Sequence, residues 1–426
     1  MKRIGLLLLV SLLVVGLLPN LVFAKELTGT LTIWSWGAGH EAEMREKAVE
    51  AFAKKHPNLE VIHSVIPTAD QVWDQRQAAA FAAGNAPDVI QMSPDYYGLL
   101  TEYYEDLRPY VERDGIDLNE VITEGMLDDY YRPDGKLEAL PLLANVFVFA
   151  YNKNMFDEFG VEYPTNDWTW QDFAEMAPKF VTGSGVNRTY AMVRHWVLPN
   201  FAIICQGGVP YADDFSDIYM DSEEVRAGLD LFRYLIVEAQ AIPSQSAAQT
   251  MPSEQLFITE RAAIYPMGGF EIASLAQEID DWFEWDAVLP PKDSPDGKNT
   301  NITYATGYAM YKDAKNKEAA WEFLKEASFA NDEMAMFTAQ IGMPANKKVA
   351  NEVYAKMSHG NVSNALYLKG METSRLNIWG GALATVGDIW TEMWDSVNVA
   401  GMSAAEAQEK YVPLLEKEFF ELNLSK

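Results

Sequence analysis

The chain has 426 residues, with 62 acidic against 33 basic side chains, a formal charge of −29, and 49% hydrophobic and 22% charged residues. This is a globular composition, long enough for two or three domains or one large one, and the strong negative balance argues against nucleic acid or an anionic membrane as the main partner. A single cysteine, Cys205, excludes an internal disulfide framework, and five scattered histidines without an H-E-x-x-H pair argue against a transition-metal enzyme.

Residues 1–24 read as a secretory signal peptide. Lys2 and Arg3 precede an apolar run that Pro19-Asn20 breaks, and Val22-Phe23-Ala24 offers a cleavage site before Lys25. The run is short for a bilayer span, and no lipobox cysteine lies near the cut, so an exported chain without a membrane anchor is expected. Residues 27–36 then form a predicted strand. A helix follows over 40–55, with Met44, Ala48 and Phe52 on one face, Glu43/Lys47 and Glu50/Lys54 as i,i+4 pairs, and His56-Pro57-Asn58 as its stop. A second strand over 59–66, a helix over 69–83 closed by Gly84-Asn85, and a third strand over 88–92 complete a β-α-β-α-β order, which predicts a parallel sheet with right-handed crossovers.

After the Pro133-Asp134-Gly135 turn, residues 137–151 read as one long extended run. Helices are predicted over 154–159, 169–180, 222–238 and 254–261, a buried strand over 262–267, and a Pro/Gly loop over 290–299. Residues 303–311 are again extended, 316–328 helical, and Ser403-Ala404-Ala405-Glu406 has the spacing of a capping box that opens a C-terminal helix. Trp390 and Trp394, four apart, fit helix packing.

Several spaced motifs resemble the family 1 extracellular solute-binding proteins, the maltose-binding-protein-like sugar-binding components of ABC transporters. Leu31-Thr32-Ile33-Trp34-Ser35-Trp36-Gly37 resembles the family's first strand and ligand-facing loop, and Gly84-Asn85-Ala86-Pro87-Asp88-Val89-Ile90 its G-x-x-P-D-[VI]-[VI] segment. Asp134-Gly135-Lys136, Leu140-Pro141 and Tyr151-Asn152-Lys153-Asn154-Met155-Phe156 are similar to its dGk…alP…YNkdlF pattern. Gly160, Pro164, Thr169-Trp170, the stretch from Phe257 to Gly269, Ala319–Leu324 and Gly342-Met343-Pro344 continue the series in order. The resemblance implies an α/β, two-lobed periplasmic-binding-protein fold (type II-like) with three hinge crossings and an interlobe ligand cleft. The implied lobes take residues 25–140 plus 306–343 and 145–300 plus 350–426, with crossings near 140–145, 302–307 and 343–346. It further implies a carbohydrate ligand, an ABC permease as membrane partner, a monomer in the periplasm or otherwise outside the cell, no cofactor, no metal and no catalysis.

A neutral sugar needs flat apolar faces for its C–H surfaces and planar polar groups for its hydroxyls. Trp34 and Trp36 flank the end of the first strand, where α/β folds place ligands, and alternation is expected to send one inward and one outward, or one to each wall. Asp95 matches the family's loop after the third strand. Asn145, alone in an apolar run, needs a partner when buried, and ligand is one candidate. By resemblance His195 and Trp196 belong to the second lobe's contacts. So do Gly269 and Phe270, where Phe replaces a stacking Trp and drops its N–H donor, and Arg375 and Trp379. Glycerol phosphate, a polyol or ferric iron in the same fold, and a secreted glycoside hydrolase, are the competing readings. The hydrolase would need two carboxylates facing one bond, and the sequence contains no G-x-S-x-G motif and no P-loop.

Overall fold

The computed structural model describes residues 26–67, 72–94, 100–132, 134–212, 215–376 and 384–422. The expected signal peptide therefore lies outside the described residues, as do the candidates Asp95 and Trp379.

The chain opens as the sequence predicts. Strand β1 (Gly29–Trp36) leads to helix α1 (Gly39–Lys55), strand β2 (Leu59–Ile66), helix α2 (Val72–Ala82) and strand β3 (Val89–Met92). β1 lies parallel to both β2 and β3, in register Ile33 to His63 and Ile33 to Val89. Leu31, Ile33, Val89 and Ile90 are wholly buried, and Val49 and Phe52 of α1 join the same apolar cluster. That burial explains the period-two and period-3.6 patterns of this segment.

The run over 137–151 is not one strand. β4 (Ala139–Asn145) joins the first sheet, the chain changes sheet at Val146, and β5 (Phe147–Asn152) enters a second one. Every residue of both strands is buried. The second sheet has the order β6 (Tyr190–Met192), β7 (Ala262–Gly268), β5, β8 (Trp285–Val288), with β5 antiparallel to β7 and β8. The chain returns to the first sheet through β9 (Asn301–Met310), antiparallel to both β3 and β4, and through β10 (Met343–Pro344), antiparallel to β4. The first sheet is therefore mixed rather than parallel throughout, in the order β10-β4-β9-β3-β1-β2. A hairpin of β11 (Ser358–His359) and β12 (Val362–Ser363) stands apart, and β13 (Ser374–Leu376) runs parallel to the start of β9.

The helices match their expected places with local changes. Thr169 caps the helix Trp170–Met176 through a reciprocal capping box with Asp172, and a 3₁₀ turn carries the chain on to Phe180. The helices Glu223–Arg233 and Lys317–Lys325 each run on into a π-helical turn. Around the second sheet, Phe149 meets Trp170 and Phe201, and Trp170 meets Phe232, with ring centroids 5.3–5.8 Å apart. Trp390 and Trp394 are buried in this cluster, Trp394 edge-on to Phe232, as helix packing requires. Among the described residues no helix is long and apolar enough to cross a membrane.

Candidate functional site

The two sheets flank a cleft of about 650 Å³. Its first wall grows from the carboxyl ends of the first sheet's strands, where backbone groups and loop side chains converge. Trp36 ends β1, and the Gly37-Ala38-Gly39 turn then brings His40 and Glu41 of the first turn of α1 to the rim. Gly37 and Gly39 both take positive φ (147° and 52°), the conformation that lets the strand fold directly into the helix. Trp73 of α2, 2% exposed, stands edge-on beneath Trp36 with centroids 5.2 Å apart and planes at 76°. It packs against the Trp36 ring, which itself lines the cleft. Ser93, just past β3, donates to the carbonyl of Ala305 at 2.8 Å and ties this wall to β9.

The second wall comes from the end of β7 and the helix Ile272–Ile279. Ile272, Leu275 and Ile279 are buried, so the opposite side of this helix presents Ala273, Ser274 and Gln277 to the cleft, beside Phe270. The floor consists of Leu143 and Asn145 of β4, Tyr304, Ala305 and Thr306 of β9, and Ile341. Asn145 is buried, and its Oδ1 has no hydrogen-bond partner among the described residues. A Cβ on Gly269 would lie 2.6 Å from that oxygen, and one on Gly342 2.9 Å from it, so two glycines make the slot that holds the amide. Tyr304 accepts a hydrogen bond from Asn200 Nδ2 at 3.0 Å, and its ring meets Trp196 edge-on at 5.1 Å.

Charge in the cleft is sparse and balanced. Glu41 pairs with Arg45, whose guanidinium is almost wholly buried beneath the wall. Below Trp36, Ser35 Oγ lies 2.7 Å from His63 Nε2, and burial together with the nearby Arg45 cation pulls the His63 imidazole down to about 4. That ring is neutral at ordinary pH. Among the described residues no cluster of three or more metal-ligating side chains occurs.

Of the residues proposed from sequence, Trp36, Asn145 and Phe270 line this one cleft, with Gly269 against Asn145. Trp196 is half exposed beside Tyr304, and His195 is buried behind it. Trp34 does not reach the cleft. Residues two apart in a strand share a face, so the expected split between walls fails. Trp34 instead lies back along β1, under Arg76, in a groove with Thr32 and Asp88. Arg375 is likewise elsewhere, on a separate groove with Asp128, Asp129 and Tyr131. The sequence reading passed over Trp73, Tyr304, Ser274 and Gln277. Only the last two carried a usable signal, as the polar stripe of an amphipathic segment directly after Gly268-Gly269-Phe270.

Residues 37–334 match the profile of the bacterial extracellular solute-binding proteins. The chain belongs to that family. The arabinooligosaccharide-binding protein of Halalkalibacterium halodurans is 22% identical over 213 residues, which is 48% of this chain and 45% of that protein's length. The chain thus spans just under half of that curated relative. Among solved structures, the ABC substrate-binding protein Lmo0181 of Listeria monocytogenes, in complex with cycloalternan, superposes with a TM-score of 0.76 at 22% identity, over 93% of this chain and 98% of that one. The sugar-binding protein MalE of Xanthomonas citri gives 0.79 at 19% identity, over 93% and 98%. The two-lobed α/β architecture expected from the motifs is the fold these proteins share with the family member described here.

Proposed function

We propose that this solute-binding protein captures a neutral carbohydrate, an oligosaccharide, in its interlobe cleft and delivers it to the transmembrane permease of an ABC importer, without catalysing a reaction. One observation carries the reading: aromatic rings stand on both walls of the cleft, Trp36 on one and Phe270 on the other, around a buried amide acceptor at Asn145 that has no partner among the described residues. Rings of this kind cover sugar C–H faces, while an amide, Ser274 and Gln277 suit hydroxyls. Glu41 is the one carboxylate among the described lining residues, and it is engaged by Arg45. A hydrolase would want two carboxylates free to face one bond, and a phosphate would want an uncompensated basic clamp. The family's relatives, which include oligosaccharide binders, support the same reading.

The lobes are proposed to comprise residues 25–140 with 306–343, and 145–300 with 350–426. The change of sheet at Val146, the long β9 and the β10 segment then supply the three crossings about which the lobes close. The exported chain is proposed to act as a monomer outside the cytoplasmic membrane.

A thermal-shift panel tests this, with arabino- and gluco-oligosaccharides, monosaccharides, polyols, glycerol phosphate and ferric ion. A matched oligosaccharide at a hundredfold excess over its Kd should add about 2.7 kcal/mol of stability, and Trp36→Ala should abolish the shift. A panel in which no saccharide shifts the melting temperature rejects the carbohydrate reading, and a shift by glycerol phosphate or iron alone replaces it. Release of reducing sugar from glycans would reject the non-catalytic role.

A further inference from the structure

Glu271 follows Phe270 directly, yet its carboxylate turns away from the cleft and gathers three donors. Gly268 N–H reaches Oε2 at 2.7 Å, the Tyr265 hydroxyl reaches Oε1 at 2.8 Å, and His195 Nε2 lies 3.5 Å from the same Oε1. The Val197 N–H points at His195 Nδ1 at 3.4 Å, which leaves Nε2 as the nitrogen that donates to Glu271. The backbone closes the same turn from the other side, with Glu271 N–H donating to the Gly268 carbonyl at 3.0 Å. These contacts join two segments distant in the chain, 195–197 and 265–271, with His195 and Glu271 76 positions apart.

Each segment carries an exposed ring. Phe270, 44% exposed, folds back over Gly268 so tightly that a Cβ there would lie 2.5 Å from its Cε1. Its position is therefore set by the Gly268 backbone that Glu271 holds. Trp196, 54% exposed, lies against His195 at 5.3 Å between centroids, and both Trp196 and Phe270 stand edge-on to the buried ring of Phe147. The carboxylate is the shared anchor behind both rings. A carboxylate suits this junction because it only accepts, and its two oxygens can serve three donors at once.

We propose that Glu271 is a positioning residue for ligand recognition, fixing Phe270 and, through His195, Trp196, as two coupled stacking faces of the second wall. The proposal rests on the carbohydrate reading above and extends it, since it places a second ring, Trp196, beyond Phe270 along the path of a longer saccharide.

The test uses the full protein labelled with 5-fluorotryptophan, with the Trp196 fluorine resonance assigned from Trp196→Phe. Glu271→Ala should move that resonance and leave the resonance of Trp321, buried in the helix Lys317–Lys325, in place. For an oligosaccharide found with the panel above, its Kd should rise about tenfold, the loss of roughly one well-placed ring contact. Glu271→Gln keeps an acceptor for Gly268 but loses one of the shared oxygens. It should give a smaller rise of about threefold and stands in should the alanine variant not fold. A Trp196 resonance unmoved in both variants, or a Kd unchanged for a saccharide that the parent binds, overturns the proposal. Should the parent bind no saccharide at all, the carbohydrate reading fails by itself, and the fluorine spectrum still decides whether Glu271 positions Trp196.

Discussion

The side-chain oxygen of Asn145 stands 2.6 Å from where a Cβ on Gly269 would be, so the floor of the cleft and the loop of the second wall meet with no room for a single methyl group. Gly342 closes the slot from the third side. Neither glycine has a positive φ, so space and not backbone conformation requires it. Gly269→Ala should therefore destabilise the protein by about 1–3 kcal/mol, as overpacking does, and weaken ligand binding with it. The check is a double-mutant cycle with Asn145→Ala by urea denaturation. Removing the amide relieves the clash, so the double variant should be more stable than the sum of the singles by roughly 0.5–3 kcal/mol. Strict additivity would refute the steric coupling.

Trp36 and Trp73 divide their work differently. Trp73 is buried and Trp36 is partly open to the cleft. Trp73→Ala should cost about 3–5 kcal/mol of stability through lost burial and the cavity left behind. Trp36→Ala should cost less, yet remove the ligand-induced thermal shift. Trp73→Phe keeps a ring under Trp36 and should retain most of both properties. Melting curves of the three variants, with and without saccharide, separate the roles. A ligand shift that survives Trp36→Ala would take Trp36 out of the site.

How far the sequence carried depended on where each signal was written. The first β-α-β-α-β stretch was legible because its periodicities are strong and its breaks carry Pro, Asn and Gly. Ser403 and Glu406 do form the reciprocal capping box that their spacing suggested. The break at Val146 was missed, because 139–145 and 147–152 are buried throughout and only the lone Asn145 interrupts the apolar run where the chain changes sheet. In the site, Asn145 was conspicuous as a polar residue in an apolar run. Trp73 and Tyr304 were hidden, since an aromatic residue gives the same local signal whether it supports a cleft or fills a core. Trp34 misled for the same reason. Its place at the strand's end was right, but only Trp36 sits at the tip.

Asn346, buried just past β10, works on three sides at once. Its Oδ1 caps the helix Lys347–Glu352 by accepting from Val349 N–H at 2.9 Å, and its Nδ2 donates to the Phe329 carbonyl at 2.9 Å and to Asp332 at 3.2 Å. Asn346→Ala removes the cap and also the donor to the part-buried Phe329 carbonyl and to Asp332, and should cost about 2 kcal/mol. Asn346→Ser restores the cap alone and should fall between the two. Urea midpoints at a fixed slope provide the measurement, and equal midpoints for alanine and serine would show that the cap contributes nothing.

His63 gives the acid response a defined signature. Its imidazole is held at about 4 against an ordinary 6.5, chiefly by burial and next by the Arg45 cation, with Ser35 Oγ at 2.7 Å. The unfolded chain therefore takes up a proton that the folded protein refuses. The sign follows: the contribution is fully present above pH about 6.5, declines as pH falls, and is lost once pH has passed about 4. Within that window the slope due to this one group reaches at most about 1.4 kcal/mol per pH unit. His63→Gln keeps a hydrogen-bonding side chain beside Ser35 but cannot titrate. Its stability, measured by urea denaturation at pH 7.5, 5.5 and 4, should fall less steeply than that of the parent across this range. Carboxylates contribute equally to both proteins, so the difference between the two curves isolates His63. Parallel curves would mean that the imidazole protonates as readily in the fold as in the unfolded chain.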